Sequence, residues 1–297
     1  MFANLGNCWG ILIGGCILLS STAECGLLGS AESFEDETGD AAGTLEIDAE
    51  ASQAWGGLVG RFALVDEPQV VVESKTDVGQ SGTDRKQALR DESLVIDQKT
   101  RGIKNIIVFA RKVSQVRESH KRSVTHAVEL EQRDCRYRPH VLTMRVGQLL
   151  TIRNDDSTFH VGLVRPPLGV EGRREVNSLL SPGDQTSFRF IRQESKPLPV
   201  QCGLHRGMRA YVLPRNDSYF AVTDKSGSFE IIDLPAGEEI EFQVWHEKAG
   251  GAPGGLIARP AWTKGRFRVT IPAGSVKDLG TIEVPSSAFS PPPLQDR

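Results

Sequence analysis

The sequence predicts an all-β fold made of two sandwiches, and three observations carry that reading. Short runs of alternating apolar and polar residues, rich in β-branched and aromatic types, recur from Trp55 onward. Glycine and proline separate the runs. No stretch holds a 3.6-residue apolar period long enough for a useful amphipathic helix. Strands this short and this frequent imply sandwich architecture, and there are more of them than one sandwich needs.

The elements follow in order. Cys8 to Ser21 is an apolar run bounded by polar sequence, shorter than the ~20 residues that span a bilayer. Ser21-Thr22-Ala23 then offers small residues for signal-peptidase cleavage, so residues 1–25 read as an export signal, although Met1–Asn7 has no positive charge. An uncleaved anchor is the next reading, which would tether the protein to a membrane through its N-terminus. Residues 26–54 mix Gly, Ala, Ser, Asp and Glu and read as an acidic flexible linker. Gly60–Val65 and Asn105–Phe109 are strands, the second buried on both faces, and the polar residues 75–100 between them form a surface excursion. Val128–Glu131, Val141–Val146, Leu149–Ile152, Thr186–Phe190 and Ala210–Leu213 continue the series. Phe220–Thr223 and Phe229–Ile232 flank Asp224-Lys225-Ser226-Gly227, a hairpin turn signal. Ile240–Trp245 and Phe267–Ile271 are the last strands, and the tail through Ser290-Pro291-Pro292-Pro293 is Pro-rich.

Charge narrows the partners. The 297 residues carry a net −3, but no Lys or Arg precedes Arg61 and nine acids do, which leaves +6 on the remainder. So mild an excess over a large body argues against nucleic-acid binding. Of five cysteines, Cys8 and Cys16 lie in the signal and Cys25 at its edge. The body keeps Cys135 and Cys202, which in an oxidising compartment read by default as a disulfide.

One stretch points to chemistry. Cys202-Gly203-Leu204-His205-Arg206-Gly207-Met208 places a thiolate, an imidazole and a thioether at i, i+3 and i+6. A blue-copper electron-transfer site needs those three donors and a second His, as His₂Cys with a weak axial Met. His160, in Asn154-Asp155-Asp156-Ser157-Thr158-Phe159-His160, is placed to be the fourth.

Residues 128–213 resemble the cupredoxins, which are Greek-key β-sandwiches. Tyr137-x-Pro139-x-x-Leu142-Thr143-x-x-Val146-Gly147-Gln148 is similar to their aromatic-x-Pro strand. Asn154-x-Asp156-x-x-x-His160 is similar to the loop of their first copper His, and Cys202-x-x-His205-x-x-Met208 to the ligand loop of amicyanin. The resemblance implies a domain over 123–215 that binds one copper ion through His160, Cys202, His205 and Met208. It also implies an exported carrier, periplasmic or in the cell envelope, that exchanges electrons with a redox protein partner, an acidic one or a cytochrome. Tyr219-Phe220-Ala221-Val222-Thr223-Asp224-x-x-Gly227-x-Phe229, Leu234-Pro235-Ala236-Gly237 and Gly57-x-x-Gly60-Arg61-Phe62 resemble a prealbumin-like or carboxypeptidase-regulatory sandwich. That second sandwich would be split over 55–115 and 216–286, with the copper unit inserted in it and residues 287–297 as its tail. Across its length the chain is similar to exported bacterial proteins of the methylamine-utilisation or plastocyanin-like type. Those also carry a Cys-aromatic-Pro-His strand, here Cys135 to His140, and a Trp-His-Glu, here Trp245-His246-Glu247.

The chain departs from those relatives in two places. Val161 stands where they have an Asn that braces the ligand loop, and a valine side chain cannot make that hydrogen bond. Arg206 and Gly207 replace a Pro and an aromatic, so a cation lies beside the metal and glycine loosens the loop. Three functions compete. The first is a copper electron carrier that is not an enzyme. The second is a scaffold or binding module with a degenerate site stapled by a Cys135–Cys202 disulfide, and the third is a zinc or copper store. An enzyme reading would pair Cys202 with His205, but no orienting third residue is evident. His140 reads as a surface or near-site histidine, Trp245 and Glu247 as a strand end with His246 between them a minor ligand candidate, and His120 and His126 as solvated. Arg133, Arg136 and Arg138, with Arg206, form either a basic rim that steers an acidic partner or a merely soluble face.

Overall fold

The computed structural model describes residues 55–66, 91–121, 125–165, 176–205, 207–250 and 254–289. The export signal, the acidic linker, the Pro-rich end and Arg206 lie outside the described residues. Those described are nearly all β, with one four-residue helix, α1 (Glu118–Lys121), and a 3₁₀ turn at Ser286–Phe289. None of their helices is long and apolar enough to cross a membrane.

One pair of sheets comes from both ends of the described sequence. Its strands are β1 (Trp55–Leu64), β2 (Ile107–Lys112), β12 (Phe220–Val222), β13 (Ser228–Pro235), β14 (Glu239–Trp245), β15 (Arg266–Thr270) and β16 (Val276–Val284). They form sheets of order β13-β1-β16 and β12-β2-β14-β15, with β1 and β16 parallel. Leu58, Phe62, Ile106, Val108, Tyr219, Phe229, Phe242 and Val244 fill the space between them.

The second pair is continuous in sequence. It contains β3 (Val128–Arg133), β4 (Arg136–Arg138), β5 (Val141–Arg145), β6 (Leu149–Asn154), β7 (His160–Val164), β8 (Val176–Leu180), β9 (Gln185–Arg189), β10 (Leu198–Gln201) and β11 (Arg209–Arg215). The sheet orders are β5-β11-β10-β7-β8 and β4-β3-β6-β9. Leu130, Tyr137, Met144, Leu150, Ile152, Val200, Cys202, Met208 and Val212 lie in its core. The chain leaves the first pair after β2, builds all nine of these strands, and returns in β12, which pairs antiparallel with β2 at Phe220↔Phe109.

The period of two explains how the sandwiches meet. In β2, Val108 and Ala110 point into the first core while Ile107 and Phe109 point the other way. In β11, Ala210 and Val212 face the second core, and Leu213 and Tyr211 face Ile107, Phe109, Val141 and Trp245. A third apolar cluster thus joins the two cores. Arg215 closes it, buried at 4% exposure, with its guanidinium 5.0 Å from the Phe109 ring and donating to the carbonyls of Ala110 at 2.8 Å and Glu194 at 3.2 Å. Burial presses the Arg215 pKa down, with Asp217 opposing. The strand that follows the Cys-His-Met loop is therefore held on both faces.

Candidate metal centre

The first histidine is placed by an inward polar residue. Along β6 the buried positions are Leu150, Ile152 and Asn154, so the period carries an amide to the end of the core. Asn154 is fully satisfied there. It donates to the carbonyls of Thr158 at 2.8 Å and Leu180 at 3.0 Å and accepts from Asp156 N–H at 3.0 Å. These bonds shape loop 155–159 and deliver His160, with no exposed surface, to the start of β7.

The other donors come from the β10–β11 hairpin. Gln201 pairs with Arg209, Cys202 N–H donates to Met208 O at 3.1 Å, and Met208 N–H donates to His205 O at 3.3 Å. Gly207 is the one described residue of the Cys202–Met208 loop at positive φ. It occupies φ 88°, a left-handed turn that other residues resist. Cys202 and Met208 are buried at 7% and 3% exposure, while His205 is half-buried.

The two segments converge. Cys202 Sγ lies 3.7 Å from His160 Nδ1 and 3.5 Å from His205 Nδ1, and the two Nδ1 atoms are 3.1 Å apart. The point equidistant from all three is about 2.0 Å from each, against metal–nitrogen bonds of about 2.0–2.1 Å and a zinc–thiolate bond of about 2.3 Å. The triangle fits one small ion, and a thiolate with two imidazoles suits copper or zinc. Met208 joins the same apolar cluster as Cys202 and is tied to it through the backbone.

Around the triangle, Val161 N–H donates to Cys202 Sγ at 3.3 Å. Val161 lacks a side-chain brace, but its main chain is braced instead. Its carbonyl accepts from Tyr137 Oη–H at 2.9 Å, and the buried Gln132 donates to that hydroxyl at 3.0 Å. Burial raises the Tyr137 pKa, with Gln132 opposing, so the phenol stays a donor. For Cys202, burial pushes the thiol up, but His160, the Val161 N–H, His205 and the Leu204 N–H outweigh it and hold the pKa down to about 6. Burial lowers the His160 pKa, but Cys202 and Asp156 more than offset this and the net shift is upward.

The sequence motif names Asp156 but gives it no role. Its Oδ2 lies 2.8 Å from His160 Nε2, and its two oxygens accept the N–H groups of Asp134 at 2.7 Å and Cys135 at 2.9 Å. Burial raises its pKa, but these donors outweigh it and the carboxyl is held low. The Asn154-x-Asp156-x-x-x-His160 spacing was the available signal, and it does not tell that the carboxylate reaches the far nitrogen of the ring. The stapled alternative fails, because Cys135 and Cys202 are both free thiols. Cys202 is turned to the imidazoles and the Val161 N–H, whereas Cys135 groups with Asp156 and His160. Burial, with Asp156, Cys202 and Asp134, raises the Cys135 pKa to about 11.

Other expectations change as well. Arg133 pairs with Asp155 at 2.9 Å, Arg136 with Glu92 at 3.0 Å and Arg138 with Asp134, so these arginines are neutralised locally rather than forming a bare basic rim. His120 is not solvated, because its ring lies 5.2 Å from the Tyr219 ring and its Nε2 3.1 Å from Asp233. His126 is exposed. His140 is not at the surface but pairs with Glu247 across the junction. Burial depresses the His246 pKa to about 3 beside Phe289, which makes it a core residue. An oriented thiolate–imidazole–carboxylate series could also serve a nucleophile, but Sγ is buried.

No family model and no curated protein matches the chain. Among solved structures it is similar to a copper-containing nitrite reductase of Thermus scotoductus, with TM-score 0.27, 17% identity, and 36% of this chain and 25% of that one covered. It is similar to a variant of amicyanin in its oxidized state, with TM-score 0.26, 21% identity, and 30% and 82% covered. The same TM-score and identity relate it to a purple cupredoxin of Nitrosopumilus maritimus, over 30% of this chain and all of that one.

Proposed function

We propose that the chain is an exported, non-enzymatic electron carrier whose cupredoxin-type sandwich, 123–215, holds one copper ion at His160, Cys202 and His205, with Met208 as a weak fourth donor. The flanking prealbumin-like sandwich, 55–115 and 216–286, would serve as its rigid base. The convergence of two Nδ1 atoms and one Sγ within 3.1–3.7 Å carries this reading. Bound copper supplies one-electron oxidation and reduction. The protein's part is to keep the donors still. Asn154 fixes the loop that brings His160, the β10–β11 hairpin fixes Cys202 and His205, and Val161 N–H supports the sulfur. Burial of Cys202 and Met208 keeps water from the sulfur side.

His205 is the partly open donor, and Phe159 and Leu204, 52% and 53% exposed, immediately precede His160 and His205. A redox partner would meet the carrier there. A zinc store uses the same donors, and metal loading separates it from the carrier. Native mass spectrometry of the full chain, offered copper and zinc together, is expected to find one copper per chain. Zinc retained against copper, or no metal at all, would reject the proposal.

A further inference from the structure

The turn joining β3 to β4 is Asp134-Cys135, and both residues sit at left-handed φ, 54° and 53°. Neither is glycine, so each conformation costs energy. The two N–H groups of this turn share one acceptor, Asp156, whose Oδ1 takes Asp134 N–H and whose Oδ2 takes Cys135 N–H. The same Oδ2 lies 2.8 Å from Nε2 of His160. A carboxylate can only accept, so in the neutral ring the proton belongs on Nε2 and the lone pair on Nδ1. Nδ1 is the atom that faces Cys202 and His205.

We infer that Asp156 is the positioning residue of the centre: anchored by the β3–β4 turn, it fixes the tautomer and ring angle of His160 and biases the site toward the oxidised ion. The inference rests on the copper reading and deepens it. A valine after His160 leaves the ligand loop without a side-chain brace on that side, and Asp156 supplies one from the other edge of the ring. A carboxylate on the distal N–H raises the basicity of the ligating nitrogen, which favours the more highly charged ion over the reduced one.

Asp155 provides the matched control. It lies in the same loop and carries the same charge, but it bonds Arg133 and Arg153 instead of the histidine. Two measurements on the full chain test the inference. First, long-range ¹H–¹⁵N NMR of protein treated with chelator should find His160 protonated on Nε2, and mixed tautomers in Asp156→Asn. A neutral wild-type ring whose single proton sits on Nδ1 overturns the inference whether or not the chain binds copper, so this arm, read at a pH where the ring is neutral, is independent of the metal reading. Second, copper titrations should give Asp156→Asn a roughly 10- to 100-fold weaker hold on Cu(II). A selective tenfold loss of the oxidised ion raises the reduction potential by about 59 mV. Asp155→Asn should move the potential far less. Equal shifts in the two variants would reduce the effect to general charge and overturn the positioning role. A chain that binds no copper in either titration sinks the metal reading, while the NMR result still decides what sets the ring.

Discussion

The two body cysteines should titrate at opposite ends of the pH scale in protein stripped of metal. With Cys202 held to about 6 and Cys135 raised to about 11, the two thiols are five pH units apart. At pH 7.5 Cys202 would be about 97% thiolate and Cys135 about 0.03%. The assay is thiolate absorbance against pH, which requires no reagent to reach a sulfur that is 7% exposed. The low-pH step should vanish in Cys202→Ser and persist in Cys135→Ser. Stability follows from the same shift. The folded pKa of Cys202 lies below its unfolded value of 9.0, so its contribution is full above pH 9 and is lost as the pH falls through about 6. Three units amount to at most about 4 kcal/mol, and less to the extent that solvent reaches the His205 side. His160 runs the other way. Its raised pKa contributes below its ordinary value of 6.5 and fades as the pH rises through the folded value. A single ionisation step near pH 8–9 for both thiols would refute the donor arrangement around Sγ.

Three further outcomes are expected. Tyr137→Phe removes the hydroxyl between Gln132 and the Val161 carbonyl and should cost about 2 kcal/mol in denaturant unfolding at unchanged m. Glu247→Ala leaves His140 buried without its partner, so thermal unfolding should register a loss of about 2–3 kcal/mol while the spectrum of the copper-loaded protein stays the same. At Gly227, with φ 83°, a Cβ would stand 2.1 Å from the Phe62 carbonyl oxygen, so Gly227→Ala should destabilise the first sandwich by more than about 2 kcal/mol in the same assay.

Much of this molecule was legible in its sequence because strand alternation reports burial directly. Val128–Glu131, Leu149–Ile152 and Ile240–Trp245 each lie within an observed strand. Three of the strands missed have identifiable reasons. β10 contains Pro199, β7 reads as the tail of a ligand loop, and β16 alternates poorly because most of it is exposed and Gly280 interrupts it. Cys202 and His205 were legible because their spacing in one hairpin is local, and His160 through the Asn154-x-Asp156-x-x-x-His160 motif. Their supports were not. Tyr137 and Asp156 reach the centre through pairing between β3, β4 and β6, and residue type does not reveal such non-local register. For the same reason counting cysteines suggested a disulfide, whereas the fold points Cys202 at the imidazoles.

The visible spectrum of the full chain after addition of Cu(II) addresses the central claim most directly. An intense blue colour, abolished by Cys202→Ser, is the expected result. A colourless protein that nevertheless keeps both thiols reduced would contradict it.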